Sequence, residues 1–405
     1  MSSTPPLDPC PRPPWLRPSG YLAGLALGLA WLSWMGWRAS VTDYHPGFAR
    51  FYPAISPETN YYPTLNEMTA IVRARCRHDQ VLVIVGGNSI LEGVWQPVAD
   101  LWSRHLQDLL GDRYCVINFA FRGGSPSDGG AVVAEVLRNE YPRQILIADE
   151  NPLNGVEPIA HEPYRYIFWQ AYFRGLLIET PARTRVIKEY QLDKGQRRIF
   201  RERAISNWFD IALHYNDLWN RICFERFCTV PSYLGDYVPA MLKPRRLFAD
   251  DEPDAFAPQA LAAKYPASVL DAEMRIVRNV SANFYRKTEA GDWMLARAKF
   301  DEMEVNYKEV FPGALKARTL ILVSRGSPYY RRRLTPDEQA RDDQCFRDAV
   351  RIWRDAGVES TDYGRDFTDD DYGDRTHLSK TGGAKLAELV APEVRAMAAK
   401  LSYLK

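Results

Sequence analysis

Ser89, Asp374 and His377 are the residues of this chain whose types could together do chemistry. A serine hydroxyl is a weak nucleophile until a neighbouring imidazole accepts its proton. A carboxylate that holds the ring and stabilises the imidazolium completes the set. Asp374 and His377 stand close together in Asp374-Arg375-Thr376-His377, so one loop can carry both. The serine lies far upstream in Gly86-Gly87-Asn88-Ser89, behind the apolar run Val81-Leu82-Val83-Ile84-Val85. Acyl transfer through a serine also needs donors aimed at the oxyanion of the tetrahedral intermediate. The backbone amides of Ser89 and Gly123 and the side-chain amide of Asn151 are the candidates.

Taken singly, each has an ordinary reading. Ser89 is a turn serine or helix cap, Gly123-Gly124 a turn, Asn151 before Pro152 a loop initiator. His377 is a helix-flanking or core histidine, and Asp374 one charge in the acidic run from Asp369. What changes the reading is where the secondary structure would put them. Hydrophobic periodicity predicts helices over Leu65–Cys76, Val98–Leu110 and Gly129–Asn139, alternating with strands at 81–85, Cys115–Ala120 and Ile145–Ala148. The rhythm returns with a strand at Thr319–Ser324, a helix near 336–356, a short segment at 358–363 and a last helix from Thr381 to about Ala399. Such alternation predicts an α/β core with a parallel sheet, whose ligands bind at the carboxyl ends of the strands. Ser89, Gly123 and Asn151 follow the first three strands, and Asp374 and His377 precede the last helix, so all five project to one edge.

The text between about 155 and 315 is aromatic and helical without a convincing apolar strand, and is expected to be a helical insertion. Its Tyr164, Tyr166, Trp169 and Tyr172 could form the insertion's own core, stack on sugars or cover a site. The uncharged run Gly20–Trp37 spans about 27 Å as a helix, enough for a bilayer core. Trp34 and Trp37 suit an interfacial belt, and Trp37-Arg38-Ala39-Ser40 makes a poor signal-peptidase site. The expected organisation is a tail at 1–19, a transmembrane anchor at 20–38 and a linker at 39–65. The core is expected at 66–154 and 317–405, interrupted by the insertion at 155–316.

A formal net charge of +1 on 405 residues gives no field that would recruit nucleic acid. Arg331-Arg332-Arg333 is expected to be solvated surface rather than a phosphate site. Six cysteines make no disulfide framework. Cys115 is expected as a buried free thiol, and Cys223 and Cys228 are close enough for a bridge. No Cys/His grouping has zinc spacing, no glycine-rich phosphate loop is complete and the acidic run at 369–374 lacks calcium-loop alternation, so no metal or cofactor is expected.

These blocks resemble the SGNH (GDSL-like) hydrolase superfamily. Gly87-Asn88-Ser89-Ile90 stands for its Gly-Asp-Ser-Leu block, and Gly123 for the glycine of the second. Asn151 in Asp149-Glu150-Asn151-Pro152 stands for the Gly-x-Asn-Asp block, with Asp149 and Pro152 departing from it, and Asp374-Arg-Thr-His377 for Asp-x-x-His. The resemblance covers roughly 80–150 and 318–400. It implies a flavodoxin-like three-layer core, a Ser89–His377–Asp374 triad and Gly123 and Asn151 as oxyanion donors. The expected N-terminal anchor, early nucleophile, long middle insertion and late Asp-x-x-His look like the branch of the D-alanine transfer protein of teichoic-acid modification and related cell-envelope O-acyltransferases. Alginate-type acetyltransferases fit less well, because their Asp-His element precedes the serine. The resemblance to that branch implies an extracytoplasmic domain, an acyl-serine, a glycan or envelope-polymer substrate and a membrane-bound O-acyltransferase partner. A non-catalytic scaffold that kept the fold and a simple carboxylic-ester hydrolase are the alternatives.

Overall fold

A computed structural model of the chain describes residues 18–45, 47–51, 63–150, 152, 156–160, 164–224 and 267–404. Its strands are β1 (Val81–Val85), β2 (Tyr114–Asn118), β3 (Gln144–Glu150), β4 (Tyr285–Lys287), β5 (Trp293–Leu295), β6 (Thr319–Ser324) and β7 (Glu359–Tyr363). Five form one parallel sheet in the order β2-β1-β3-β6-β7. Counted along that sheet this is the doubly wound order 2-1-3-4-5, whose direction reverses between β1 and β3. The residues from 155 to 316 enter between β3 and β6, which are neighbours, so the sheet closes over them without a gap.

The alternation of side chains sorts the strands onto two cores. Leu82, Ile84, Leu146, Ala148, Ile321 and Val323 face one side, packed with helices Leu65–Arg75, Gly129–Val136 and Pro336–Asp355. Val83, Val85, Ile145, Ile147, Leu320 and Leu322 face the other, against helices Trp102–Leu110 and Lys380–Lys400. The result is three layers. Thr64 and Thr335 open two of these helices with capping boxes, satisfying amides that lack intrahelical acceptors.

Several expectations change. Helix Pro18–Ser40 forms over the expected anchor, but no helix among the described residues is long and apolar enough to cross a membrane. The membrane-spanning assignment of 20–38 is therefore corrected. Gly24, Gly28, Gly36 and Ser33 dilute the apolar run, and its last turns pack against the insertion helix Lys194–Leu213. Ser33 Oγ donates to the Ala212 carbonyl at 3.1 Å, and a Cβ at Gly36 would lie 2.6 Å from the Leu213 oxygen. Cys115 is no free thiol: it is bridged to Cys76, with Cα atoms 5.6 Å apart. The Cys223–Cys228 pairing lies outside the described residues.

The insertion holds the antiparallel hairpin β4–β5, turned through Gly291 at φ +88°. Its aromatic segment is core: Trp169 is buried, edge-on to Phe200 at 5.5 Å and Tyr190 at 5.9 Å. The expected helix at 98–110 begins at Trp102, because Leu101 is extended. Arg331 and Arg332 pair with Asp342, Asp343 and Asp369 rather than standing as loose surface charge.

Candidate active site

β1 delivers the chain into a turn that only glycine tolerates. Gly87 has φ +91°, and a Cβ there would sit 2.2 Å from Asp149 Oδ1. That Asp149 oxygen accepts the Asn88 amide at 2.8 Å, tying the turn to the end of β3. Asn88 then caps the short helix Ser89–Glu92, accepting from the Ile90 amide at 2.8 Å. Ser89 thus stands at the head of a helix turn, half-buried, beside the point where strand order reverses.

The structure brings Ser89, His377 and Asp374 together. Ser89 Oγ lies 2.7 Å from His377 Nε2, across a sequence separation of 288 residues. His377 Nδ1 lies 2.7 Å from Asp374 Oδ2. With Nδ1–H donated to the carboxylate, Nε2 is left to accept from the serine hydroxyl. Asp374 Oδ1 takes the amides of Thr376 at 2.9 Å and His377 at 2.8 Å, which winds the loop into a fixed turn. Burial works against a charge on Asp374, but the hydrogen bond and positive charge of His377 and the two amides overcome it. The carboxyl is held well below the usual range. It is ionised wherever the protein is folded near neutrality.

Gly123 lies across from Ser89 in a turn closed by the Gly124 amide on the Phe121 carbonyl at 3.0 Å. It has φ +67°, and open space lies where its side chain would be. Gly124 packs so closely that a Cβ would come within 2.5 Å of the Gly87 oxygen. No acceptor among the described residues takes the amide hydrogens of Ser89 or Gly123. Two residues whose amides meet no acceptor among the described residues thus line the same cleft, the kind of donor an oxyanion site uses. Asn151 lies outside the described residues.

Three acids surround this centre without joining it. Burial pushes Glu92 up to about 7, Asp149 to about 7 and Glu150 to about 8. The expected strand Ile145–Ala148 extends further: Asp149 and Glu150 belong to β3, paired beside Leu322 and Val323. Glu150 is accommodated there by Tyr307 and Trp353, both of which donate to it. The neutral form removes the cost of a buried charge.

The site opens into a cleft of about 1,060 Å³ that runs from Ser89 and His377 to the insertion helix Ala267–Ala282. Arg375, between Asp374 and His377 in sequence, donates to Glu273 of that helix at 2.5 Å. The insertion thereby forms one wall of the cleft. Among the described residues no group of three His, Cys, Asp or Glu side chains could hold a metal ion.

Sequence reading missed Trp95 and Gln96. Trp95 Nε1 donates to Asp374 Oδ2 at 2.7 Å, and the buried Gln96 side chain accepts the Trp102 amide at 2.8 Å while reaching the Leu378 carbonyl at 3.4 Å. No periodicity or motif marks a single loop donor whose acceptor is 279 positions away. No protein-family model matches the chain, and no curated protein matches it.

Proposed function

We propose that the protein is a serine-dependent acyl-transferring enzyme of SGNH type, working through an acyl-Ser89 on a cell-envelope polysaccharide or polymer. The observation that carries this reading is the continuous line Ser89 Oγ–His377 Nε2 and His377 Nδ1–Asp374 Oδ2, each 2.7 Å. In the first half-reaction Ser89 Oγ attacks the acyl carbonyl carbon as its proton passes to His377 Nε2. The carbonyl electron pair moves onto oxygen, held by the amides of Ser89 and Gly123. The tetrahedral species collapses, and the leaving oxygen takes the proton back from His377. In the second, an acceptor hydroxyl gives its proton to His377 and attacks the acyl carbon, and as the tetrahedral species collapses that proton passes to Ser89 Oγ, releasing Ser89 as the free hydroxyl. Water in place of that hydroxyl makes the same residues an esterase.

Two observations support the cellular setting and the substrate class. The Cys76–Cys115 disulfide is of the kind that persists in oxidising, extracytoplasmic compartments. The cleft of about 1,060 Å³ is larger than a small ester needs, leaving room for an oligosaccharide acceptor. A membrane-bound O-acyltransferase that supplies the acyl group is the partner the family resemblance proposes. The carboxyl that the family motif carries beside the serine is absent at Asn88, while Asp149 supplies one to the same turn from β3.

The test is incubation of the protein with p-nitrophenyl acetate, with and without envelope oligosaccharides, then mass spectrometry of protein and glycan. An acetylated Ser89 that passes its acetyl to the glycan supports transfer, and one resolved by water alone supports hydrolysis. An unacetylated protein with no turnover refutes both and favours the scaffold.

A further inference from the structure

The loop that carries Asp374 and His377 is docked twice on the segment that carries Ser89. Ser89 Oγ meets His377 at 2.7 Å. Further along the same segment, Trp95 donates its indole N–H at 2.7 Å to Asp374 Oδ2, the oxygen that also accepts from His377 Nδ1. The Trp95 ring lies over Gly373, where a Cβ would come 2.5 Å from ring atom Cγ. Gly373 in turn donates its amide to the His377 carbonyl at 2.8 Å, so the ring rests on the backbone that closes the loop.

Trp95 is itself held in place. Arg50, from the segment before the core, donates to the carbonyls of Gly93 and Gln96 on either side of it. Gln96 is fixed by the Trp102 amide. The indole is therefore a preset donor, not a side chain that happens to reach a carboxylate.

We infer that Trp95 is a positioning residue of the acyl-transfer site: its indole N–H fixes which Asp374 oxygen faces the imidazole and shares that oxygen's charge with His377. The inference rests on the acyl-serine reading. Asp374 Oδ1 is already engaged by two backbone amides, so without Trp95 only His377 would hold Oδ2. A carboxylate stripped of a donor is more basic. It would hold the imidazolium to higher pH and leave less of the free base that Ser89 needs. Glu92, from the serine's own segment, and Asp149, from the end of β3, also face the imidazole, and the Arg375–Glu273 pair flanks the loop. None of these touches Oδ2 in place of the indole.

Trp95→Phe keeps the ring over Gly373 and removes the N–H. Labelling of Ser89 by a fluorophosphonate, measured in the full chain across pH, should slow about tenfold, the worth of one hydrogen bond to a charged group. Its acidic limb should move to higher pH, which a merely structural loss would not cause. Trp95→His, which restores a ring N–H, should recover part of the rate, and it decides the matter where the phenylalanine variant does not fold. A wild type that labels, with a Phe variant whose profile superimposes on it, overturns this inference alone. A wild type that does not label overturns the acyl-serine reading and this inference with it.

Discussion

Asp374→Asn is the substitution whose consequences the geometry fixes most tightly. The carboxylate accepts four hydrogen bonds: two backbone amides on Oδ1, and Trp95 Nε1 and His377 Nδ1 on Oδ2. Asparagine offers one oxygen and one NH2. If its oxygen stays with the backbone amides, its NH2 points at two donors, Trp95 and His377. The histidine can answer only by presenting Nδ1 as an acceptor, which places its proton on Nε2, facing Ser89. The base is then lost through the wrong tautomer, with the residues still in place. If the amide flips, two backbone donors meet the NH2 instead, and the loop loses about 1–3 kcal/mol per unmet group. The first outcome costs less, and the loss expected from it is about ten-thousandfold in acylation rate, the scale seen for this substitution in other triads. The assay is the initial rate of p-nitrophenyl acetate turnover, alongside a urea melt to show that the variant is folded. A folded variant within tenfold of wild type would refute the tautomer reasoning and the triad with it.

Three further perturbations have outcomes set by the geometry. Gly87→Ala must place a side chain at φ +91° and 2.2 Å from Asp149 Oδ1, so it should destabilise by about 1–3 kcal/mol and slow Ser89 labelling more than tenfold. An unchanged melt and labelling rate would show that the turn relaxes freely. Reducing the Cys76–Cys115 bridge, whose ends are 39 residues apart, should lower unfolding stability by about 4 kcal/mol on chain-entropy grounds, read as a lower urea midpoint with dithiothreitol; coincident curves would contradict this. Glu92, Asp149 and Glu150 titrate at about 7, 7 and 8 in the fold, above their unfolded values. The folded state therefore holds protons that the unfolded chain has released, and stability should fall as pH rises from about 4 to about 8, then level. Glu150→Gln should flatten that fall, and a urea midpoint that rises over the same range would overturn the assignment.

Much of the candidate site was legible because its residues lie in short local patterns. The run Val81–Val85 is too apolar and too short to be anything but a buried strand, and it sets Ser89 at a strand end. Asp374 and His377 needed only a loop that doubles back, which two amides on Oδ1 provide. What escaped notice depends on long-range meeting. Trp95 looks like any loop aromatic until Asp374 arrives beside it. Cys76 and Cys115 have no distinctive spacing, and only the pairing of β1 with β2 brings the end of the preceding helix to that strand. The expected strand stops at Ala148 because charges are rare in buried strands, yet protonation lets β3 run on through Asp149 and Glu150. The N-terminal run was read by absence of charge, which does not weigh the glycines and serine within it.

The central claim is that Ser89 is a nucleophile activated by His377. Peptide mapping by mass spectrometry after fluorophosphonate treatment tests it most directly. Acyl-serine chemistry predicts one adduct, on the peptide containing Ser89, lost in Ser89→Ala and nearly lost in His377→Ala. An unlabelled wild type, an adduct on another serine, or labelling that survives His377→Ala at the wild-type rate would contradict it.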